Sequence, residues 1–160
     1  MKLNDIFSNY HTVRKELVAA VRTLTPEQLA WKAPDHPNSI GWLLAHIADV
    51  EEWWITTVAL RKQPVDSSAF ERFKKASKLD EYLGLLNETY EATTAYLESE
   101  SLDDWDTVFY SASGTDDNGK SFDIKVSKRW LIWHTIEHQA RHRGQIFMLM
   151  RMQGLEVPNV

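Results

Sequence analysis

The sequence predicts an all-α fold: a four-helix bundle with a small β-hairpin inserted before the last helix. Three observations carry that prediction. Four long stretches repeat their apolar residues at three- and four-residue intervals, the period of a helix with one buried face. One stretch beginning at Trp105 changes to a period of two. The length of 160 residues, 43% hydrophobic and 26% charged, suits one globular domain over 1–160 and is too short for two.

The first helix is read over Leu3 to Thr23, where Ile6, Phe7, Tyr10, Val13, Leu17 and Val21 share a face. "LTPEQL" stops it and starts another: Thr25 caps, Pro26 fits the first turn, and Gln28 completes a capping box. Two prolines in "KAPDHPN" forbid a continuous helix and leave His36 as an exposed loop residue. Ser39 caps the second long helix, "SIGWLLAHIADVEEWWITTVAL", whose stripe is Leu43, Ile47, Val50 and Trp54. "RKQPVDSS" breaks the pattern. Ser77 with Asp80 opens the third, through Leu79, Leu83, Leu86, Tyr90 and Leu97, although Gly84 and several threonines weaken it. "WDTVFYS" and "KSFDIKVS" flank the turn-rich "ASGTDDNG" as a hairpin. Ser127 caps the last helix, which ends near Gly154 with Pro158 beyond.

Composition narrows the function. A chain without cysteine has no disulfide, thiolate ligand or cysteine nucleophile, so thiol chemistry would need an external thiol. A net charge of −5 argues against a nucleic-acid partner, and "FERFKKASK" and "SKRW" read as solvated helix ends or loops. No signal peptide or membrane-length apolar run is visible, so the expectation is a cytoplasmic protein with no membrane partner.

The chemistry concentrates in "HTIEHQARHRGQI". His134, His138 and His142 lie four residues apart and form a slanting row on the bundle side of the last helix. Histidines at i and i+4 can reach one ion at ~2.0–2.1 Å. His134 and His142 are about 12 Å apart along the axis, too far for both to bind it. Two neighbouring pairs remain. His134 and His138 spell H-x-x-E-H, with Glu137 as base, but that peptidase motif needs a distant further ligand, and the one later acid, Glu156, lies in the tail. His138 and His142 are the other pair, and His46, on the bundle-facing stripe of the second long helix, can supply a third imidazole. Asp49, one turn on, is a candidate acceptor or additional ligand. Gly144 costs a helix roughly 1 kcal/mol relative to alanine, and close packing against another helix is the expected compensation.

"SIGWLLAHIADVEEWW" and "HTIEHQARHRGQI" resemble the two signatures of the DinB/YfiT-like metalloenzymes, the DinB superfamily, in order and separation. The resemblance implies an up-down-down-up bundle, frequently a homodimer, with a three-histidine divalent metal site. Its ligands fall on His46, His138 and His142, and His134 is left for the pocket wall. It further implies a metal-dependent transferase, a thiol S-transferase of bacillithiol or mycothiol type, whose partners are a small-molecule thiol and an electrophile. His134, Glu137 and Arg141 are the candidate catalytic residues, with Arg141 in that scheme meeting an anionic group on the thiol, or else pairing with Asp49 or Glu137. Trp42, Trp53, Trp54, Trp130 and Trp133 are candidate walls. A hydrolase with Glu137 or His134 as proton acceptor, and a non-catalytic metal-binding stress-response bundle, are the alternatives. All-histidine ligation suits zinc, nickel, iron or copper, with zinc or nickel placed first. Arg143 and Gln145 belong to the motif without an assigned role.

Overall fold

The computed structural model describes residues 2–61, 70–116 and 118–158. The apolar period of the first segment survives, but its helix does not run unbroken. A short α1 (Leu3–Ile6) stops at Phe7, and α2 (Asn9–Val21) starts afresh, burying Tyr10, Val13, Leu17 and Val21. α3 (Pro26–Ala30) has the expected cap: Thr25 Oγ1 accepts from the Gln28 N–H at 3.3 Å, and Gln28 Oε1 accepts from the Thr25 N–H at 2.8 Å. His36 is half-buried rather than exposed, because its ring folds back to accept the Asn38 N–H.

Ser39 caps α4 (Ile40–Glu52) through the Trp42 N–H. The expected single helix then widens into a π-helical segment, Trp53–Ala59, which buries Trp54, Ile55, Thr57 and Val58. Periodicity cannot reveal such a change, since it adds less than one residue per turn. The break expected in "RKQPVDSS" lies, beyond Arg61, outside the described residues. The basic cluster after it forms a short helix, α5 (Phe70–Lys75).

α6 (Leu79–Ser99) runs without interruption despite Gly84 and its threonines. Its start differs from the expectation. Lys78 is the cap position, and the Glu81 carboxylate, not Asp80, accepts the Ser77 and Lys78 N–H groups at 2.7 and 3.1 Å. The hairpin pairs β1 (Tyr110–Thr115) with β2 (Ser121–Val126) in antiparallel register. It is longer than expected, because Ala112 to Thr115, read as turn, continue the strand. Gly114 permits this by lying under the Phe122 ring, where a Cβ would come within 3.1 Å of an aromatic carbon. The tighter turn is held by Asp116 Oδ1, which accepts from the Asn118 and Lys120 N–H groups. Last comes α7 (Lys128–Met152), capped by Ser127 and closed by Gly154 at φ 75°, where an L side chain is disfavoured.

Residue pairs across the core fix the helix directions. Gly41 meets Tyr82 and Glu51 meets Thr89 and Thr93, so α4 and α6 run parallel. Arg14 meets Gln139 and Glu16 meets Arg143, so α2 and α7 run parallel. His46 meets His138 while the later Trp54 meets the earlier Trp130, so α4 and α7 run antiparallel. The topology is therefore up-down-down-up. No described helix is long and apolar enough to cross a membrane.

The core falls into two apolar clusters, one around Leu17, Leu43, Ile47, Leu86 and Ile146, the other around Tyr10, Trp54, Leu97, Leu131 and Ile136. Between them in each helix lies a buried polar residue: Arg14 in α2, Glu51 in α4, Thr89 and Thr93 in α6, Gln139 in α7. The Glu51 carboxylate accepts from Tyr10, Arg14, Thr89 at 3.1 Å and Thr93 at 2.6 Å. The threonines that weaken α6 as an isolated helix are thus the donors that satisfy this buried charge.

Candidate metal centre

Three imidazoles from two antiparallel helices meet at the boundary between α4 and α7. His138 Nε2 lies 3.2 Å from His46 Nε2 and 3.1 Å from His142 Nε2. Among the described residues, His46, His138 and His142 form the one group whose ligand atoms lie close enough together to hold a metal ion. An ion bonded to two such nitrogens at ~2.0–2.1 Å would see them roughly 100° apart, between the octahedral and tetrahedral values. The donor set fits a divalent transition metal in both chemistry and spacing.

Two of the rings are held by neighbours outside the cluster. His142 Nδ1 donates to Gln145 Oε1 at 2.5 Å, which leaves the Nε2 lone pair facing the cluster. His46 stacks on Trp42 with centroids 4.7 Å apart. Burial holds all three in the neutral, metal-competent form. His138 is lowered to about 3 by burial and then by His142, His46, His134 and Arg141 nearby. His46 is lowered to about 4 by burial and by His142, and His142 is lowered chiefly by burial.

His134 stands apart from the cluster. Its ring stacks on Trp130 at 4.5 Å and 8°, meets the Trp54 edge at 5.5 Å, and lies 5.8 Å from the His138 ring. Glu137 and Arg141 pair with each other at 2.6 Å on the exposed side of α7. Of the candidate tryptophan walls, Trp42, Trp54 and Trp130 touch a histidine. Trp53 packs on Trp54 and Tyr110, and Trp133 stays 64% exposed. Asp49 is not in the ligand group. It lines a cavity of about 390 Å³ with Trp42, His46, Phe73, Lys74 and Tyr82, and burial raises its carboxyl to about 6. A larger cavity, about 590 Å³, opens between α2 and α6 and touches none of the three histidines.

The motif residues without an assigned role acquire one. Gln145 orients His142. Arg143 pairs with Glu16 of α2 and lies over the Phe147 ring, tying the two parallel helices together beside the site. Their signal in sequence was only the motif itself, because a partner on another helix has no local signature. The expected close packing at Gly144 is absent: it is exposed, and a Cβ there would meet nothing within 4 Å. Gly144→Ala is therefore expected to raise stability by about 0.5–1 kcal/mol through helix propensity, measured by denaturant unfolding. Gln145→Leu is expected to weaken metal binding about tenfold with the cluster otherwise intact, and an unchanged affinity would deny Gln145 its orienting role.

A four-helix bundle with a three-histidine cluster between its antiparallel helices is the class that fold and site define. The chain belongs to the DinB superfamily, whose family profile matches residues 9–146. Similar solved structures include a DinB-like protein from Bacillus cereus, 21% identical, covering 96% of this chain and 94% of that one with a TM-score of 0.70. The DinB-like protein YjoA from Bacillus subtilis is also 21% identical, with 98% and 97% coverage and a TM-score of 0.67. A conserved protein from Enterococcus faecalis is 16% identical, with 95% and 97% coverage and a TM-score of 0.68. At such identities the likeness establishes the fold. No curated protein matches the chain significantly.

Proposed function

We propose that the protein is a divalent-metal-dependent enzyme, a thiol-dependent S-transferase that acts on a low-molecular-weight thiol and an electrophile. The observation that supports this reading is the convergence of three neutral imidazole Nε2 atoms with no acidic ligand among them. Three protein ligands leave coordination open, the pattern of catalytic rather than closed structural sites. A bound cation supplies Lewis-acid chemistry there, lowering the pKa of a thiol or water that it holds. His46, His138 and His142 hold the cation. His134 is the nearest further imidazole and takes the thiol proton, while the sulfur forms its bond to carbon as the leaving group departs with its electron pair. Trp42, Trp54 and Trp130 shield the site from water, and Arg141, at the rim, meets an anionic group of the thiol. Because the chain has no cysteine, the thiol must come from outside. The homodimer implied by the family is part of this reading and is checked by sedimentation.

A screen of metal-loaded protein with thiols and electrophiles tests the proposal. Conjugation is expected to require both metal and thiol. Hydrolysis of an ester or amide without any thiol would replace this reading with a hydrolase in which His134 or Glu137 accepts the proton. Inactivity in both screens, with metal bound, would leave a non-catalytic binding bundle.

A further inference from the structure

His138 is the central ring of the cluster, with its Nε2 turned toward both other imidazoles. Its other nitrogen, Nδ1, therefore points away from them, and a ring that is to present an Nε2 lone pair must carry its proton there. The ring lines a small enclosed cavity of about 10 Å³, bounded also by Thr135 and Gln139 of α7 and by Glu51 and apolar groups of α4. That volume is about enough for one water, provided two to four polar groups face it.

A count of hydrogen-bonding capacity identifies those groups. Thr135 donates its hydroxyl proton to the Leu131 carbonyl at 2.8 Å, so its oxygen lone pairs are available. Gln139 Oε1 accepts from Arg14 Nε and has a second lone pair. The Glu51 carboxylate already accepts from four donors and offers little more. Thr135 and Gln139 are 6% and 2% exposed, so bulk solvent does not compete for either.

We infer that one enclosed water accepts the His138 Nδ1 proton and donates to Thr135 Oγ1 and Gln139 Oε1, making Thr135 and Gln139 positioning residues for the three-histidine site. The buried Arg14–Glu51 pair belongs to the same device, because it fixes the amide of Gln139 with its oxygen bound to Arg14. This orients the central ring as Gln145 orients His142, but through a water and from inside the core. The inference rests on the reading that the triad holds a metal; the water bridge itself does not depend on a bound ion.

Thr135→Val is the informative variant, because it keeps shape and burial and removes the hydroxyl, both the acceptor and its bond to the Leu131 carbonyl, while Thr135→Ser keeps both. A high-resolution crystal structure of the metal-free protein is expected to show one ordered water within hydrogen-bonding distance of His138 Nδ1, Thr135 Oγ1 and Gln139 Oε1. Titration with zinc against a chromophoric chelator is expected to show about tenfold weaker binding for Thr135→Val, near-normal binding for Thr135→Ser, and little change in the metal-free melting temperature of either. Gln139→Met removes the other acceptor and is expected to weaken zinc binding similarly, with a lower melting temperature because Arg14 Nε loses its partner. A dry cavity, or a Thr135→Val protein that binds zinc like the parent, overturns the inference. A parent protein that binds no zinc although the water is present would instead refute the metal-site reading.

Discussion

Alanine at His46, His138 or His142 is expected to reduce metal content from about one divalent ion per chain to near zero, while His134→Ala keeps it. His138 Nε2 lies 3.1–3.2 Å from the Nε2 atoms of both other rings, and the three ligand atoms all lie within 4.8 Å of one another, so each supplies a bond that no neighbour can replace. His134 stacks on Trp130 instead, and its ring is 5.8 Å from that of His138. Its removal should change activity and leave stoichiometry intact. Elemental analysis of untagged, reconstituted variants reads the result directly. A metal at hundredfold excess over its Kd should also add about 2.7 kcal/mol of stability, a rise of about 5–10 °C in Tm that the three alanine variants lose. A site emptied by His134→Ala but not by His142→Ala would restore the H-x-x-E-H pair with Glu137.

Removing either partner of the Arg14–Glu51 pair should give the largest loss of stability in the molecule. Both side chains are about 95% buried; Arg14 donates to groups on three other helices, and Glu51 accepts from four donors on two others. Glu51→Leu strands the Arg14 guanidinium, and Arg14→Leu strands the Glu51 carboxylate. Each is expected to cost about 3–5 kcal/mol and lower Tm on the order of 10 °C. The double variant should lose less than the sum of the two, since neither charge is then left alone. Urea unfolding of the four proteins measures the coupling. Single variants within about 1 kcal/mol of the parent would mean that water reaches the pair.

Much of the fold could be read from spacing. The helices, their Ser39, Ser127 and Thr25 caps and the Gly154 stop are local: each depends on residues within one turn of one another. The expectations that failed were of another kind. The break at Phe7 and the π-helical segment after Glu52 leave the apolar pattern almost unchanged, so periodicity passes over both. Gly144 looked like a packing residue because its intrinsic cost invites a compensating contact, yet its face of α7 meets solvent.

By itself the sequence determined an all-α bundle with a hairpin and a histidine row in which only neighbouring rings could share an ion. These follow from the helical pitch, which fixes what lies within a few residues along the chain. Only the tertiary structure decided that His46 meets His138 and His142, because that pairing depends on the direction and register of α4 against α7. It alone decided that Thr89 and Thr93 satisfy Glu51, and that Gln139 both accepts from Arg14 and lines the cavity beside His138. A buried charge needs partners from several helices, and no periodicity within one helix can record which residues of another will face it.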